Sequence, residues 1–313
     1  MAHEHEKYER LIERCRSLPP TATAVVHPCD KSSLDGAIDA AKLGLIMPIL
    51  VGPAARIAAV AAECGVDISA YEVIDAAHSQ QAAEKAVEIV RLGRAEVLMK
   101  GSLHTDELMG AVVKRETGLR TARRVSHCFV MDVPGHADVI VITDAAVNIA
   151  PTLAEKVDIV QNAIDLVHAL GRKEVLVAIL SAMETVNPQV PSTIDAAALC
   201  KMADRGQITG AILDGPLALD NAISLTAARI KKIDSPVAGR ANVLVVPDLE
   251  AGNMLAKSLI FLAGADAAGI VLGAKVPIVL TSRADSVLAR LASAAIAVLL
   301  AKARREQAGK AVV

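Results

Sequence analysis

The sequence predicts an α/β protein of two lobes, built on mainly parallel sheet with helices on both faces. Three observations carry this. The chain has 313 residues, more than the roughly 250–300 at which a single core usually stops growing. Hydrophobic residues make up 53% and aromatics 1%, so the core must be packed from Ala, Val, Ile and Leu, which suits helices laid on buried parallel strands. Finally, short β-branched runs alternate with longer stretches of helical spacing from end to end.

The elements follow in order. TAVVH (23–27) and MPILVG (47–52) are compact aliphatic runs that read as strands. The helices Leu34–Leu43 and Ala54–Cys64 follow them, with apolar residues returning at three and four positions. AEVLMK (95–100) is the next strand, flanked by the helices Gln80–Leu92 and Glu107–Lys114. DVIVIT (138–143), EVLVAILS (174–181), GAILD (210–214), NVLVVP (242–247) and AGIVL (268–272) continue the strand series. Between them lie the helices Leu153–Leu170, Ile194–Met202 and Asn253–Leu262. A last helix runs through Val287, Leu288, Leu291, Ala295, Ile296 and Leu299 as an amphipathic stripe. Thr281 or Ser282 is its expected N-cap, and Ser282 with Asp285 has the spacing of a capping box. The longest charged interval, KRETGLRTARRVSH (114–127), marks a lobe crossing near residue 124, and Gly269–Pro277 offers a second.

Several function classes lose support. With no Trp, two Tyr, two Phe and a net charge of −2, there is little for nucleobases to stack on and no field for a polyanion, so no nucleic-acid partner is expected. Five scattered cysteines suggest neither a disulfide framework nor a zinc site. The N-terminus lacks the pattern of a secretory signal, and no uncharged run reaches the roughly 20 residues that span a bilayer. A cytoplasmic protein without membrane association is the expectation. GxGxxG, GxSxG and HExxH are absent, and Ile270 and Val271 stand where a P-loop needs Lys and Ser/Thr. No metal site is expected.

In parallel sheets, ligands bind at the carboxyl ends of strands, where helix N-termini present unpaired N–H groups. Lys100 and Gly101 follow one strand, with Thr105 placed to cap the next helix. Thr143 and Asp144 end another strand, and so does Asp214 with Asp220 six residues on. The densest stretch is SPVAGRANVLVVPDLEAGN (235–253), holding Arg240, Asp248, Gly252 and Asn253 in what reads as a glycine-bearing turn able to expose amides to an oxygen-rich ligand. Each also has a plain structural reading as turn or cap. In VLTSRADS (279–286), capping accounts for Ser282 and Asp285 but not for Arg283. A cation at a helix N-terminus opposes the dipole by about 0.3–1 kcal/mol, which points to an anionic ligand.

Together SPVAGRANVLVVPDLEAGN, LDGPLALDNAI (213–223), LMKGSLHT (98–105) and TSRADS (281–286) resemble the phosphate acetyltransferase and phosphate butyryltransferase family, from about Thr23 to Leu300. The wording is most similar to a branch often fused behind an enoyl-CoA hydratase-like domain. The resemblance implies a two-lobed dimer, with residues 1–124 and 270–313 in the first lobe, 125–269 inserted as the second, and the active cleft between them. It implies reversible transfer of a short acyl group, acetyl or butyryl, between coenzyme A and inorganic phosphate, with no bound cofactor or metal. By the same resemblance, Arg283 binds the phosphoryl group, Ser282 hydrogen-bonds near the reacting atoms, and Lys100, Gly101, Thr143, Asp144, Asp214, Arg240, Asp248, Gly252 and Asn253 contact substrate. Two departures stand out. Ala289 occupies the place of an aspartate proposed as the thiol's base, leaving Asp285 as the nearest substitute, and Gly110 replaces an arginine. These departures keep open an alternative, a non-catalytic module that senses acyl-CoA.

Overall fold

The computed structural model describes residues 6–281 and 285–310. The chain divides into two compact units, one formed by Glu6–Arg123 with Ala268–Val313 and the other by Arg124–Ala267.

In the first of these, the elements are α1 (Glu6–Cys15), β1 (Thr21–Val26), α2 (Lys31–Lys42), β2 (Ile46–Gly52), α3 (Ala54–Cys64), β3 (Glu72–Asp75), α4 (Ser79–Arg91), β4 (Val97–Lys100) and α5 (Thr105–Val112). The second contains β5 (Ser126–Asp132), β6 (Ile140–Thr143), α6 (Leu153–Ala169), β7 (Leu176–Leu180), α7 (Pro191–Asp204), β8 (Ile212–Leu217), α8 (Leu219–Ile223), α9 (Leu225–Ile230), β9 (Val243–Val245) and α10 (Leu249–Ala263). The chain then passes through β10 (Asp266–Leu272) and returns to the first unit with β11 (Ile278–Val279) and α11 (Val287–Lys310). The predicted α/β fold is the observed one.

The first unit's strands lie in the order β3-β2-β1-β4-β11-β10. β1 pairs in parallel with β2 and β4, and β11 in parallel with β4, while β10 is antiparallel to β11. β1 therefore marks a topological switch, with β2 to one side and β4 to the other. Nearly all of TATAVV is buried, as expected of a strand covered by helices on both faces. In the second unit the order is β5-β6-β9-β7-β8, with β6, β9, β7 and β8 mutually parallel and β5 antiparallel to β6. Its core gathers Met131, Ile142, Leu176, Leu180, Leu217 and Leu244, all under 7% exposed. Burying such a side chain stabilises by about 1.5–3 kcal/mol.

Local signals set the helix ends. Asp30 caps α2 by accepting from the Ser33 amide at 2.8 Å. Thr152 and Glu155 form a capping box on α6, and Gly65 and Gly264 close α3 and α10 in the left-handed region. Two readings are corrected. α11 is no simple stripe: every residue from Ala292 to Ala301 is buried, the mark of a helix enclosed on all sides. It also starts later than expected, at Val287. Ser286 accepts from the Ala289 amide at 3.0 Å, so Ser286 caps the helix, while Ser282 of the expected box lies outside the described residues. α1 went unread, although Tyr8, Leu11, Ile12 and Cys15 make its buried face. The Cys15 thiol reaches the Ala295 carbonyl of α11, and the Tyr8 hydroxyl accepts from the Ala268 amide at 2.8 Å.

Candidate active site

In the first unit, the loops after β1 and β4 are stitched together at the switch point, where α/β sheets bind ligands. The Gly101 amide donates to the Val26 carbonyl and the Ser102 amide to the His27 carbonyl, both at 2.9 Å. A Cβ on Gly101 would lie 2.4 Å from the Val26 oxygen, so this position excludes any side chain. The Ser102 hydroxyl donates to the His27 carbonyl at 2.9 Å and accepts from the Cys29 amide at 3.2 Å. His27 itself is buried, with a left-handed backbone at φ 55°. Its Nδ1 lies 3.2 Å from both oxygens of Ser102.

One strand over, Lys100 ends β4 and lines a small cavity with Ser33, Gly36, Met99, Val279, Thr281 and Arg290. Arg290 is in the first turn of α11, where its charge opposes the helix dipole. It donates through Nη1 to the Asp285 carbonyl at 2.6 Å. Its Nε is buried and has no partner among the described residues. Two cations thus share a cavity with Thr281, the residue before Ser282 and Arg283, which lie outside the described residues. This is an anion-seeking arrangement, with Arg290 as a cation in the first turn of α11.

Thr105 is the first residue of α5 rather than its cap. The Glu107 carboxylate accepts from the His104 amide at 2.9 Å and the Ser79 hydroxyl at 2.6 Å. These bonds hold the Glu107 carboxyl below its usual range, Ser79 contributing most.

In the second unit several of the predicted contact residues also hold local structure. Thr143 is fully buried and donates to the His127 carbonyl at 2.9 Å. Asp144, 3% exposed, accepts from the amides of His127, Ala146, Val147 and Asn148 and from the Asn148 side chain at 2.6 Å. Both carboxylate oxygens are engaged in holding the loop. Asp248 is the N-cap of α10, accepting from the Ala251 amide at 2.9 Å. Gly252 lies inside that helix, not in a turn, where a Cβ would stand 2.7 Å from Val246 and 2.9 Å from Ala145. Asn253 donates to the Ala145 carbonyl at 3.3 Å. Gly252 and Asn253 thus pack against Ala145, and Gly252 lies within α10 rather than in the expected amide-exposing turn. Asp214 is half-buried and accepts from the Gly215 amide, and Arg240 is exposed. In the same unit, Glu184 takes hydrogen bonds from Lys231 at 2.6 Å and from Asn221. Lys231 also lies 3.4 Å from Asp220.

Residues 78–298 match the phosphate acetyl/butaryl transferase family. The chain belongs to that family. Like it, a phosphate acetyltransferase of Rhizobium meliloti is 66% identical over 299 residues, which cover 96% of this chain and 95% of that protein. A phosphate acetyltransferase of Rickettsia prowazekii is 56% identical, covering 97% of this chain and 88% of its own. Among solved structures, a branched-chain phosphotransacylase from Enterococcus faecalis V583 superposes with a TM-score of 0.78 at 30% identity, covering 90% of this chain and 99% of that one. The match to the phosphate acetyl/butaryl transferase family takes in Lys100, Thr281 and Arg290 but begins after His27. Sequence reasoning missed His27, Ser102 and Arg290. The strand-end rule would have found the first two, since HPCD follows β1 as KGS follows β4.

Proposed function

We propose that this protein transfers a short acyl group, acetyl before butyryl, between coenzyme A and inorganic phosphate. The observation that carries the reading is the pair of cations, Lys100 and Arg290, sharing a cavity beside Thr281 at the carboxyl ends of β4 and β11. The relatives named phosphate acetyltransferase support acetyl as the first substrate to try. In the direction of acyl-CoA, the thiol sulfur attacks the acyl phosphate carbonyl, the C–O bond to the phosphoryl group breaks, and phosphate leaves. Arg283 holds the phosphoryl oxygens in a bidentate fork, and Ser282 donates to the oxygen on which charge collects. Losing one such donor typically costs about 10²–10³ in rate. Asp285 remains the carboxylate nearest the place taken by Ala289, and Asp214, Arg240 and Asn253 remain proposed contacts of the bound substrates, which need no further cofactor in this reading.

The test is release or consumption of free thiol by the purified protein in both directions with C2 to C4 substrates. Absence of turnover in every combination sinks the reading. Coenzyme A binding without turnover would instead favour the acyl-CoA-sensing module, for which the uncharged, buried Ala289 speaks. We place the protein in the cytoplasm, and among the described residues no helix is long and apolar enough to cross a membrane. We also propose a homodimer, supported by Met254, Phe261 and Leu262, which share one face of α10 at 64%, 78% and 87% exposure. A Phe261→Glu variant that sediments as the wild type does would count against that face.

A further inference from the structure

Attack by a thiol needs an acceptor for its proton, and at the head of α11 the buried position in the first turn is Ala289. The geometry points to Nε2 of His27 as the acceptor of the coenzyme A thiol proton, an inference that rests on the acyl-transfer reading.

The argument starts from the tautomer. The Ser102 carbonyl, 3.2 Å from Nδ1, is an acceptor only, so Nδ1 carries the hydrogen. The Ser102 hydroxyl, also 3.2 Å away, sends its own hydrogen to the His27 carbonyl and faces Nδ1 with a lone pair as well. The neutral ring therefore keeps its free lone pair on Nε2. That atom has no hydrogen-bond partner among the described residues and is not one of the sealed polar atoms of the structure. Burial is the leading cause that holds the imidazole below its ordinary range. The Ser102 carbonyl works the other way, Arg56 of α3 adds to the lowering, and Glu107 of α5 and Asp30 at the head of α2 oppose it. At neutral pH the ring is thus in the form that accepts a proton.

Position agrees with chemistry. β1, β4 and β11 are neighbours in that order, so the carboxyl ends of β1 and β11 stand two strand spacings apart, about 10 Å. Side chains reaching from both ends can meet on one acyl phosphate. As the S–H bond breaks toward Nε2, the sulfur pair forms the S–C bond and the C–O bond to phosphate breaks. The imidazolium then returns its proton to the departing phosphate, so charge and atoms balance without another reactant.

His27→Asn is the decisive variant. Asparagine tolerates a φ of 55° better than most residues, and its amide can donate to the Ser102 carbonyl in place of Nδ1, so only Nε2 is removed. With acetyl phosphate and coenzyme A, the expected result is a fall in kcat of about 10²–10⁴. The KM for acetyl phosphate should stay near the wild-type value, and the acid limb of the rate profile should disappear. His27→Gln serves as a second variant, expected to lose rate and acid limb alike. A folded variant of either kind that keeps both overturns the proposal. Wild-type protein without turnover would overturn the acyl-transfer reading and the proposal together, whereas an active wild type beside an equally active His27→Asn overturns the proposal alone.

Discussion

Nη1 of Arg290 donates to the main-chain carbonyl of Asp285 at 2.6 Å, so a side chain in the first turn of α11 holds the segment that leads into it. The same side chain passes over α2, where a Cβ on Gly36 would meet Arg290 Cδ at 3.1 Å. The guanidinium holds Asp285 by its main-chain carbonyl.

Arg290→Ala removes that bond and one of the two cations of the cavity. A hydrogen bond to a charged group contributes about 1.5–3 kcal/mol, so kcat/KM with phosphate as the varied substrate should fall by at least about tenfold. Arg290→Lys keeps the charge but not the fork, and should recover the KM for phosphate more than it recovers kcat. Steady-state kinetics of both variants check this, and equal losses in the two would contradict it.

Gly101 and Gly110 should respond in opposite ways to alanine. At Gly101 the new Cβ meets the Val26 oxygen at 2.4 Å, whereas at Gly110 nothing lies within 4 Å. Overpacking of this kind costs about 1–3 kcal/mol, and Gly101→Ala should also pull the β1 and β4 loops apart and lower activity. Gly110→Ala, in a helix with open space around it, should stabilise by up to about 1 kcal/mol. Thermal melts of the two proteins separate these outcomes.

His127 provides a pH signature of folding. Its imidazole is buried, and burial pushes it from 6.5 to about 4, against the opposing pull of Asp144. The unfolded chain therefore takes up a proton first as pH falls. Stability is fully present above about 6.5, declines between 6.5 and 4, and levels off below the folded value. Urea midpoints measured across that window should show the decline, and His127→Leu should flatten it. A decline of unchanged size in the variant would assign it elsewhere.

Lys156 and Asp195 join α6 to α7 at 2.6 Å, with the lysine side chain 7% exposed and the aspartate 27%. Removing the aspartate leaves a buried ammonium without its partner, and losses for buried pairs broken in this way approach about 3 kcal/mol. Lys156→Met removes the buried charge itself and should cost less. The order of denaturation midpoints, with Asp195→Ala below Lys156→Met, is the check.

The sequence was most legible where punctuation is local. Helix α3 was read from Ala54 to Cys64, its observed limits, because Pro53 and Gly65 bracket an aliphatic run. β3 was missed because EVID is four residues long and only partly buried. β5 was missed because it starts inside a charged interval, so its apolar residues carried too little weight. The head of α11 was misplaced since Ser282 and Ser286 are both good caps, and tertiary packing decides between them. Thr143 and Asp144 show the deeper limit. A polar pair at a strand end serves equally well for a ligand or a lock, and the partners that make it a lock sit at His127, 16 or 17 residues earlier. In the other direction, Lys100 was legible from position alone, while the cation beside it came from a helix 190 residues further along the chain.

The enclosure of α11 has a consequence for how the protein is made. β1 to β4 emerge from the ribosome well before the helix that completes their core, and the Cys15–Ala295 contact spans 280 positions. Residues 124–267, by contrast, hold all the strands and helices of their unit in one continuous stretch. Residues 124–267 are thus able to mature during translation, while β1 to β4 must wait for α11 with their aliphatic sheet uncovered. That interval is when this polypeptide most needs a chaperone.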